Sequence, residues 1–265
     1  MDILRTLVLA VIEGLTEFLP VSSTGHMVLA YPMLQIDPTA PLWRTLLFVS
    51  QVGPMIAVLL YFRRDIWQRL TVAPAAWHQH LLIKIVIAFL PAAVVGLTFD
   101  DFFEPLEESP LAVGGAFVVG AIILEIVDRL FRRSGEMTLD DVTFRQAAII
   151  GLVQCLAIWP GMSRAGCTIM GGLMAGLTPR VAAQFSFYLA VPTLLGAALV
   201  RAKKFGLALP AEQMALVGLG TFVAFLVALG VIATFLPYVQ KHRFTPFVVY
   251  RIAVGLAVIL WANSH

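Results

Sequence analysis

Glu13 and Glu17 stand four residues apart in a largely apolar stretch, hence on one helix face and one turn from each other. Two carboxylates so placed repel, and keeping both ionised at membrane depth requires a cation between or beside them. A divalent ion with oxygen ligands would serve, as would a guanidinium such as Arg164; the plainer alternative is that one or both are protonated and paired to backbone. Ser22, Ser23, Thr24 and Gly25 follow as a hydroxyl-rich turn that opens a second short helix. Such a turn is a helix cap, and it also suits a diphosphate, because amides, hydroxyls and the helix dipole all favour negative charge. His26 comes three residues after Ser23, within a turn of its hydroxyl, and is a candidate general base, nucleophile or leaving-group acid.

Far along the chain, Arg164 sits in another apolar stretch with no acid within four residues. An unpaired guanidinium there is costly, so its expected partner is a substrate, and its planar fork of donors matches phosphate oxygens. Ser163 and Thr168 beside it offer hydroxyl contacts or cap backbone. Together these residues suit phosphoryl transfer: a metal held by Glu13 and Glu17 bridging a diphosphate, Arg164 and the Ser22 to Gly25 amides on the terminal phosphate, Ser23 attacking, and His26 managing the proton, with His26 or water as alternative nucleophiles. Gln51 and Arg251 also lie in apolar runs, but without a neighbouring constellation they do not separate cavity lining from helix packing.

The elements that must carry this chemistry are membrane elements. With 60% hydrophobic and 13% charged residues and a mean hydropathy of +0.90, 265 residues hold more apolar surface than one soluble core can hide. Six runs are long enough to cross a bilayer as helices: 42–62, 81–99, 111–130, 183–200, 214–236 and 246–261. Residues 3–34 and 146–178 are also apolar but are each broken by a cluster, Pro20-Val-Ser-Ser-Thr-Gly-His26 and Pro160-Gly-Met-Ser-Arg-Ala-Gly166. Non-helical backbone cannot face lipid, so these clusters are expected to line a protein-walled cavity as the tips of two re-entrant helical hairpins. The expected fold is therefore all-α and integral to the membrane, a single polytopic domain over 1–265. Glu13 and Glu17 also argue against reading the first apolar run as a cleaved signal peptide.

Landmarks repeat. Pro160 follows Pro20 by 140 residues, as Arg145 follows Arg5, while Pro192 follows Pro54 and Arg201 follows Arg63 by 138. Two halves, about 1–135 and 140–265, thus share the order hairpin then three spans, and an odd number of spans makes the repeat inverted in topology, so the two clusters can meet near the midplane. Counting basic residues places Arg63, Arg64, Arg69, Lys84, Arg129, Arg132, Arg133, Arg145, Arg180, Lys241 and Arg243 on a cytoplasmic side. The opposite side holds Arg5, Arg44, Arg201, Lys203 and Lys204, both termini and an acidic loop of Asp100, Asp101, Glu104, Glu107 and Glu108. Arg201, Lys203 and Lys204 cut against that orientation. The net charge of +2 gives no reason to expect a nucleic-acid partner, and Cys155 and Cys167 read as small buried hydrophobes.

Two motifs carry a resemblance. Glu13-Gly-Leu-Thr-Glu17-Phe-Leu-Pro20-Val-Ser-Ser-Thr-Gly-His26 and Pro160-Gly-Met-Ser-Arg-Ala-Gly-Cys-Thr168 resemble the two signatures of the bacterial undecaprenyl-diphosphate phosphatases associated with bacitracin resistance. The likeness runs through nearly the whole chain, including Phe185-Ser-Phe-Tyr-Leu-Ala-Val-Pro192 and Tyr250-Arg251. It implies removal of one phosphate from a polyprenyl diphosphate with a divalent cation, Mg2+ or Ca2+, regenerating the carrier lipid of peptidoglycan synthesis on the outer face of the bacterial plasma membrane, with the active site opening to the periplasm. The family's acids fall on Glu13 and Glu17, its hydroxyl turn on Ser22, Ser23 and Thr24, its histidine on His26, and its arginine clamp on Ser163 and Arg164. Bacitracin would then act on the lipid substrate and not on the protein, and a homo-oligomer is left open. Ala165 stands where the family usually has serine, which removes one hydroxyl from the expected phosphate contacts. Inverted repeats with broken helices are also transporter architecture, so transport or flipping of a polyprenyl phosphate lipid is the rival expectation.

Overall fold

The computed structural model describes residues 1–71, 80–107, 109–206 and 208–264. Among them there is no strand. The helices are α1 Asp2–Thr16, α2 Ser23–Met33, α3 Pro41–Val49, α4 Val52–Tyr61, α5 Arg63–Thr71, α6 Leu81–Glu107, α7 Pro110–Phe131, α8 Phe144–Gln154, α9 Arg164–Met174, α10 Pro179–Phe205, α11 Ala211–Lys241 and α12 Thr245–Asn263, with 3-10 turns at Leu139–Asp141 and Cys155–Ile158.

Six stretches are long and apolar enough to span a membrane: Pro41–Tyr61, Leu81–Phe99, Pro110–Phe131, Pro179–Phe205, Ala211–Lys241 and Thr245–Asn263. They coincide with the six expected runs, and the chain is a multi-pass membrane protein. Large apolar side chains along their outer faces, such as Leu90, Val94, Val119, Ile122 and Ile126, are exposed, as lipid-facing positions require. The helices outrun the apolar windows because intrahelical hydrogen bonds continue where hydropathy falls. Thus α10 runs on through Arg201, Lys203 and Lys204 to Phe205. The first span is two helices, not one: Pro54 has no N–H for the Ser50 carbonyl, and the Gly53 N–H takes it instead at 3.0 Å, which divides α3 from α4. Of the acidic loop expected over 100–108, the backbone through Glu107 belongs to α6, kinked at Phe99; Glu108 and the side chains of the other four acids lie outside the described residues.

Both expected breaks are present. Residues 17–22 separate α1 from α2, which pack on each other, and residues 155–163 separate α8 from α9, which do the same. At 1.5 Å per residue, none of these four helices, of 11 to 15 residues, reaches the ~30 Å of a hydrocarbon core. The core lies where the two broken segments meet α7, α10, α11 and α12, and glycines let the backbones close. A Cβ on Gly255 of α12 would lie 2.8 Å from the Gly114 carbonyl of α7, and one on Gly14 of α1 would lie 2.7 Å from the Ala224 carbonyl of α11. Cys167 is buried as expected, whereas Cys155 is partly exposed.

Candidate active site

Each break ends in a serine with backbone that only unusual constraint permits. Ser22 has φ 73° and ψ 96°, and Ser163 has φ 75° and ψ 112°. A positive φ at a residue with a Cβ costs on the order of 1 kcal/mol, so something must hold it. Part of the hold is local. Ser22 Oγ accepts from the Gly25 amide at 3.4 Å, and Ser163 Oγ accepts from the Gly166 amide at 3.1 Å. The matching positions, Ser22 with Ser163, Ser23 with Arg164 and Gly25 with Gly166, are spaced by 141 residues, one more than the prolines before them. The second bend therefore contains one extra residue, and the first helical position carries a hydroxyl in one bend and a guanidinium in the other.

The rest of the hold comes from α12. Arg251 is fully buried; its Nη1 donates to the Pro20 carbonyl at 3.2 Å, and its Nη2 to the carbonyls of Ala116, Gly161 and Met162, each at 3.1 Å. One guanidinium thus satisfies carbonyls from both bends and ties them together. Hydropathy gives no reason to prefer Arg251 to any other polar residue in a span; the only signal is the expense of an arginine there. Replacing Arg251 with methionine is expected to leave these carbonyls unpaired, lowering stability by about 3 kcal/mol or more. Arg251→Lys keeps the charge but not the fork, and is expected to fold with a smaller loss of stability than the methionine variant, read by thermal unfolding in detergent.

Where the two first helical positions face each other, three residues form a chain. Ser23 Oγ donates a short hydrogen bond to one carboxylate oxygen of Glu17. The other oxygen accepts from Arg164 Nη2 at 2.6 Å, and Arg164 Nη1 donates to the Ser186 carbonyl at 3.1 Å. The Phe18 ring lies 5.8 Å from the guanidinium carbon, while Arg164 Nε is buried without a partner. Glu17 is 4% exposed and Arg164 12%, so the pair is shielded from water.

This chain lines a cavity of about 370 Å³. Glu17, Ser22, Ser23, Thr24, Ser163 and Arg164 line it there, so six of the residues singled out from sequence converge on one chamber. Gln51, Gln154 and Thr193 also line it, and apolar side chains of α3, α6 and α10 form its walls. Sequence reasoning leaves Gln51 without a role and passes over Gln154; each is an isolated amide in an apolar run, with nothing nearby to mark it.

Four expected positions, Glu13, Gly25, His26 and Thr168, do not line the cavity. His26 does not line the cavity: its Nδ1 donates to the Ser22 carbonyl at 2.7 Å, and its Nε2 accepts from the Tyr250 hydroxyl at 2.7 Å, with the two rings stacked 5.5 Å apart. Ser23, a turn away from His26 in sequence, bonds to Glu17 instead, because His26 points toward Tyr250 of α12. Gly25 is packed under the Phe117 ring, and its amide is used by Ser22. Thr168 is buried behind Arg164, bonded to the carbonyls of Arg164 and Ala165 and to Ser186 Oγ at 2.6 Å. Ala165 is buried too and does not line the cavity.

Glu13 is fully buried, and neither of its carboxylate oxygens has a hydrogen-bond partner; its charged neighbours are Glu17 and Arg164. Among the described residues no three His, Cys, Asp or Glu side chains gather as a metal cage. The protein alone therefore offers two carboxylates, which suits a divalent ion completed by water and substrate oxygens, as is usual for Mg2+ at phosphate-transfer sites.

With the geometry in place, comparison with known proteins adds a family. Residues 6–257 match the family described as bacitracin resistance protein BacA. The chain is 40% identical over 259 residues to the undecaprenyl-diphosphatase 2 of Paramagnetospirillum magneticum, covering 97% of this chain and 98% of that protein. It is 37% identical over 260 residues to the undecaprenyl-diphosphatase of Thermoanaerobacter sp. (strain X514), covering 97% and 96%. A third relative, the undecaprenyl-diphosphatase of Sphingopyxis alaskensis, is 40% identical over 264 residues, covering 98% of both chains.

Proposed function

The chain belongs to the bacitracin resistance protein BacA family, and from that premise we propose that it hydrolyses undecaprenyl diphosphate to undecaprenyl phosphate and inorganic phosphate inside the cavity headed by Ser23, Glu17 and Arg164. The observation that carries this reading is the chain of contacts from hydroxyl to carboxylate to guanidinium in the lining of that cavity. An arriving terminal phosphate competes for Arg164, which frees Glu17 to act as a base. Ser23 Oγ then bonds to the terminal phosphorus while Glu17 takes its proton. The bond from that phosphorus to the bridging oxygen breaks, and undecaprenyl phosphate leaves with the electron pair. Water attacks the phosphoserine in a second step, inorganic phosphate departs and the Ser23 hydroxyl is restored. The proton role expected of His26 passes to Glu17, and His26 holds the first bend through the Ser22 carbonyl and Tyr250.

The apolar walls suit the lipid. Leu97 of α6 lines the cavity and is 67% exposed, so the chamber reaches the lipid-facing surface, where a prenyl tail can stay in the bilayer while its head group enters. In this reading the two broken segments re-enter from opposite faces of a bacterial plasma membrane, and the cavity opens to the periplasmic side. A divalent cation held by Glu13 and Glu17 would neutralise charge on the diphosphate. Chelation by EDTA is expected to lower phosphate release at least tenfold, with Mg2+ or Ca2+ restoring it, and Glu13→Gln is expected to raise the metal concentration needed by a similar factor.

The test is phosphate release by the purified protein in detergent, with acid-quenched samples searched for phosphoserine at position 23. Lipid movement across vesicles without phosphate release would favour the transporter expectation instead.

A further inference from the structure

The cavity lining holds a buried amide that the reaction at Arg164 does not use. Gln154, the last residue of α8, lines the cavity and is 1% exposed, and its Nε2 has no hydrogen-bond partner among the described residues. Its Oε1 accepts from the Thr193 hydroxyl of α10 at 3.5 Å. That contact is weak, because the single hydroxyl proton of Thr193 is already given to the Leu189 carbonyl at 2.8 Å. Turning the amide over changes little: the nitrogen carries two hydrogens, so with one spent on Thr193 a donor still remains. Leaving a buried amide N–H unpaired is costly, and a leucine or methionine in the same place would not incur that cost. Gln51 lines the same cavity but is partly exposed, so water can satisfy its amide.

The amide stands near the arginine clamp but is not part of it. Arg164 donates to the Ser186 carbonyl of α10, and Thr193 comes seven residues later on that helix. Seven residues are two turns, so both contacts fall on one face of α10, about 10 Å apart along its axis at 1.5 Å per residue. A guanidinium, two linked phosphate groups and an amide donor in successive hydrogen-bond contact fill a length of that order. Gly151, three residues before Gln154, packs on α6, where a Cβ would lie 2.5 Å from the Ala88 carbonyl. Gln154 is thus on the helix that adjoins α6, whose Leu97 reaches the lipid-facing surface. A head group with its terminal phosphate on Arg164 and its tail leaving past α6 would carry its second phosphate by Gln154. The chemistry agrees, because that phosphate gains a negative charge as the bond to the terminal phosphorus breaks. A neutral donor strengthens as the charge grows, yet lets the product go more easily than a cation would.

We propose that the side-chain amide of Gln154 is a substrate-binding donor to a non-bridging oxygen of the phosphate that stays with the lipid, so that the site recognises a diphosphate and not only a terminal phosphate. The inference deepens the phosphatase reading and rests on it.

The test uses the purified full chain in detergent, with Gln154→Leu beside the unaltered protein and two probes of binding. One is a polyprenyl methylenediphosphonate, which carries both phosphorus positions and whose carbon bridge resists hydrolysis; the other is inorganic phosphate, which carries one. Gln154→Leu is expected to weaken binding of the diphosphonate by about ten- to a hundredfold, the loss of one hydrogen bond to a charged group, and to leave that of inorganic phosphate within about twofold. The kcat/KM for the lipid diphosphate is expected to fall by the same factor as diphosphonate binding. The unfolding temperature should hold or rise, because the change removes an unpaired polar group from a buried place. An amide that serves only helix packing predicts the reverse, a lower unfolding temperature with both probes bound as before, and that result overturns the proposal. Equal weakening of the two probes overturns it too, as does failure of the unaltered protein to bind the diphosphonate. Gln154→Met, which follows the shape of glutamine, serves if the leucine variant does not fold; failure of both to fold makes the amide structural and ends the proposal. Should the unaltered protein release no phosphate from any polyprenyl diphosphate, the phosphatase reading fails, while the two probes still read the contact.

Discussion

Arg164→Ala is expected to lower kcat/KM for the lipid diphosphate by about 10³- to 10⁵-fold, or roughly 4 to 7 kcal/mol of transition-state stabilisation, the range attached to an arginine that neutralises a transferring phosphoryl group. The magnitude follows from where the guanidinium sits. Arg164 is 12% exposed, one Nη is fixed by the Ser186 carbonyl and the Phe18 ring lies 5.8 Å from its guanidinium carbon, so it is held in place before substrate arrives. The alanine variant also leaves Glu17 buried without its partner, which costs about 3–5 kcal/mol of stability and can by itself mimic a loss of activity. Arg164→Lys separates the two effects. Lysine keeps a cation beside Glu17, and with it the fold, but cannot donate to carbonyl and phosphate from one plane; about 100-fold loss is expected, with unfolding temperature nearly unchanged. Steady-state phosphate release beside differential scanning in detergent reads both quantities. Wild-type turnover by the alanine variant would remove Arg164 from the mechanism.

Ser23→Ala is the second large effect. If Ser23 Oγ is the nucleophile, its removal leaves only binding and charge neutralisation, and kcat is expected to fall by about 10⁴-fold or more, with KM changed little. The fold should tolerate the change, because it takes away the hydrogen bond to Glu17 while the other oxygen of that carboxylate stays held by Arg164. The phosphoserine trapped by acid quench must vanish as well. A water nucleophile predicts another pattern: Ser23 would then only orient Glu17, Ser23→Ala would cost about tenfold to a hundredfold, and no phosphorylated protein would form in either version. Full turnover by Ser23→Ala would end the covalent account.

Much of this site is legible in the sequence. Glu17, Ser23 and Arg164 stand out because charge and clustered hydroxyls inside apolar runs are expensive, and expense needs only local sequence to be seen. The same holds for the breaks at Pro20 and Pro160, where proline, glycine and serine interrupt helices, and for the six spans, where length and hydropathy suffice. His26 shows the limit of that reasoning. Adjacency to Ser23 makes it a candidate proton carrier, but the ring that engages it belongs to Tyr250, 224 residues away, and that contact turns the imidazole out of the cavity.

What hydropathy, breakers and charge place in advance is therefore the set of elements, the two bends and six of the polar residues that line the cavity. Pairing is settled only in the folded chain: Ser23 with Glu17 instead of His26, Arg251 with carbonyls of both bends, Thr168 behind Arg164, and Arg44 with Phe205. The physical reason is that local sequence sets whether a residue lies on a helix and at what depth. Which neighbour its side chain meets depends on how helices far apart in the chain rotate and close on one another, and here glycine contacts such as Gly114 against Gly255 govern that approach.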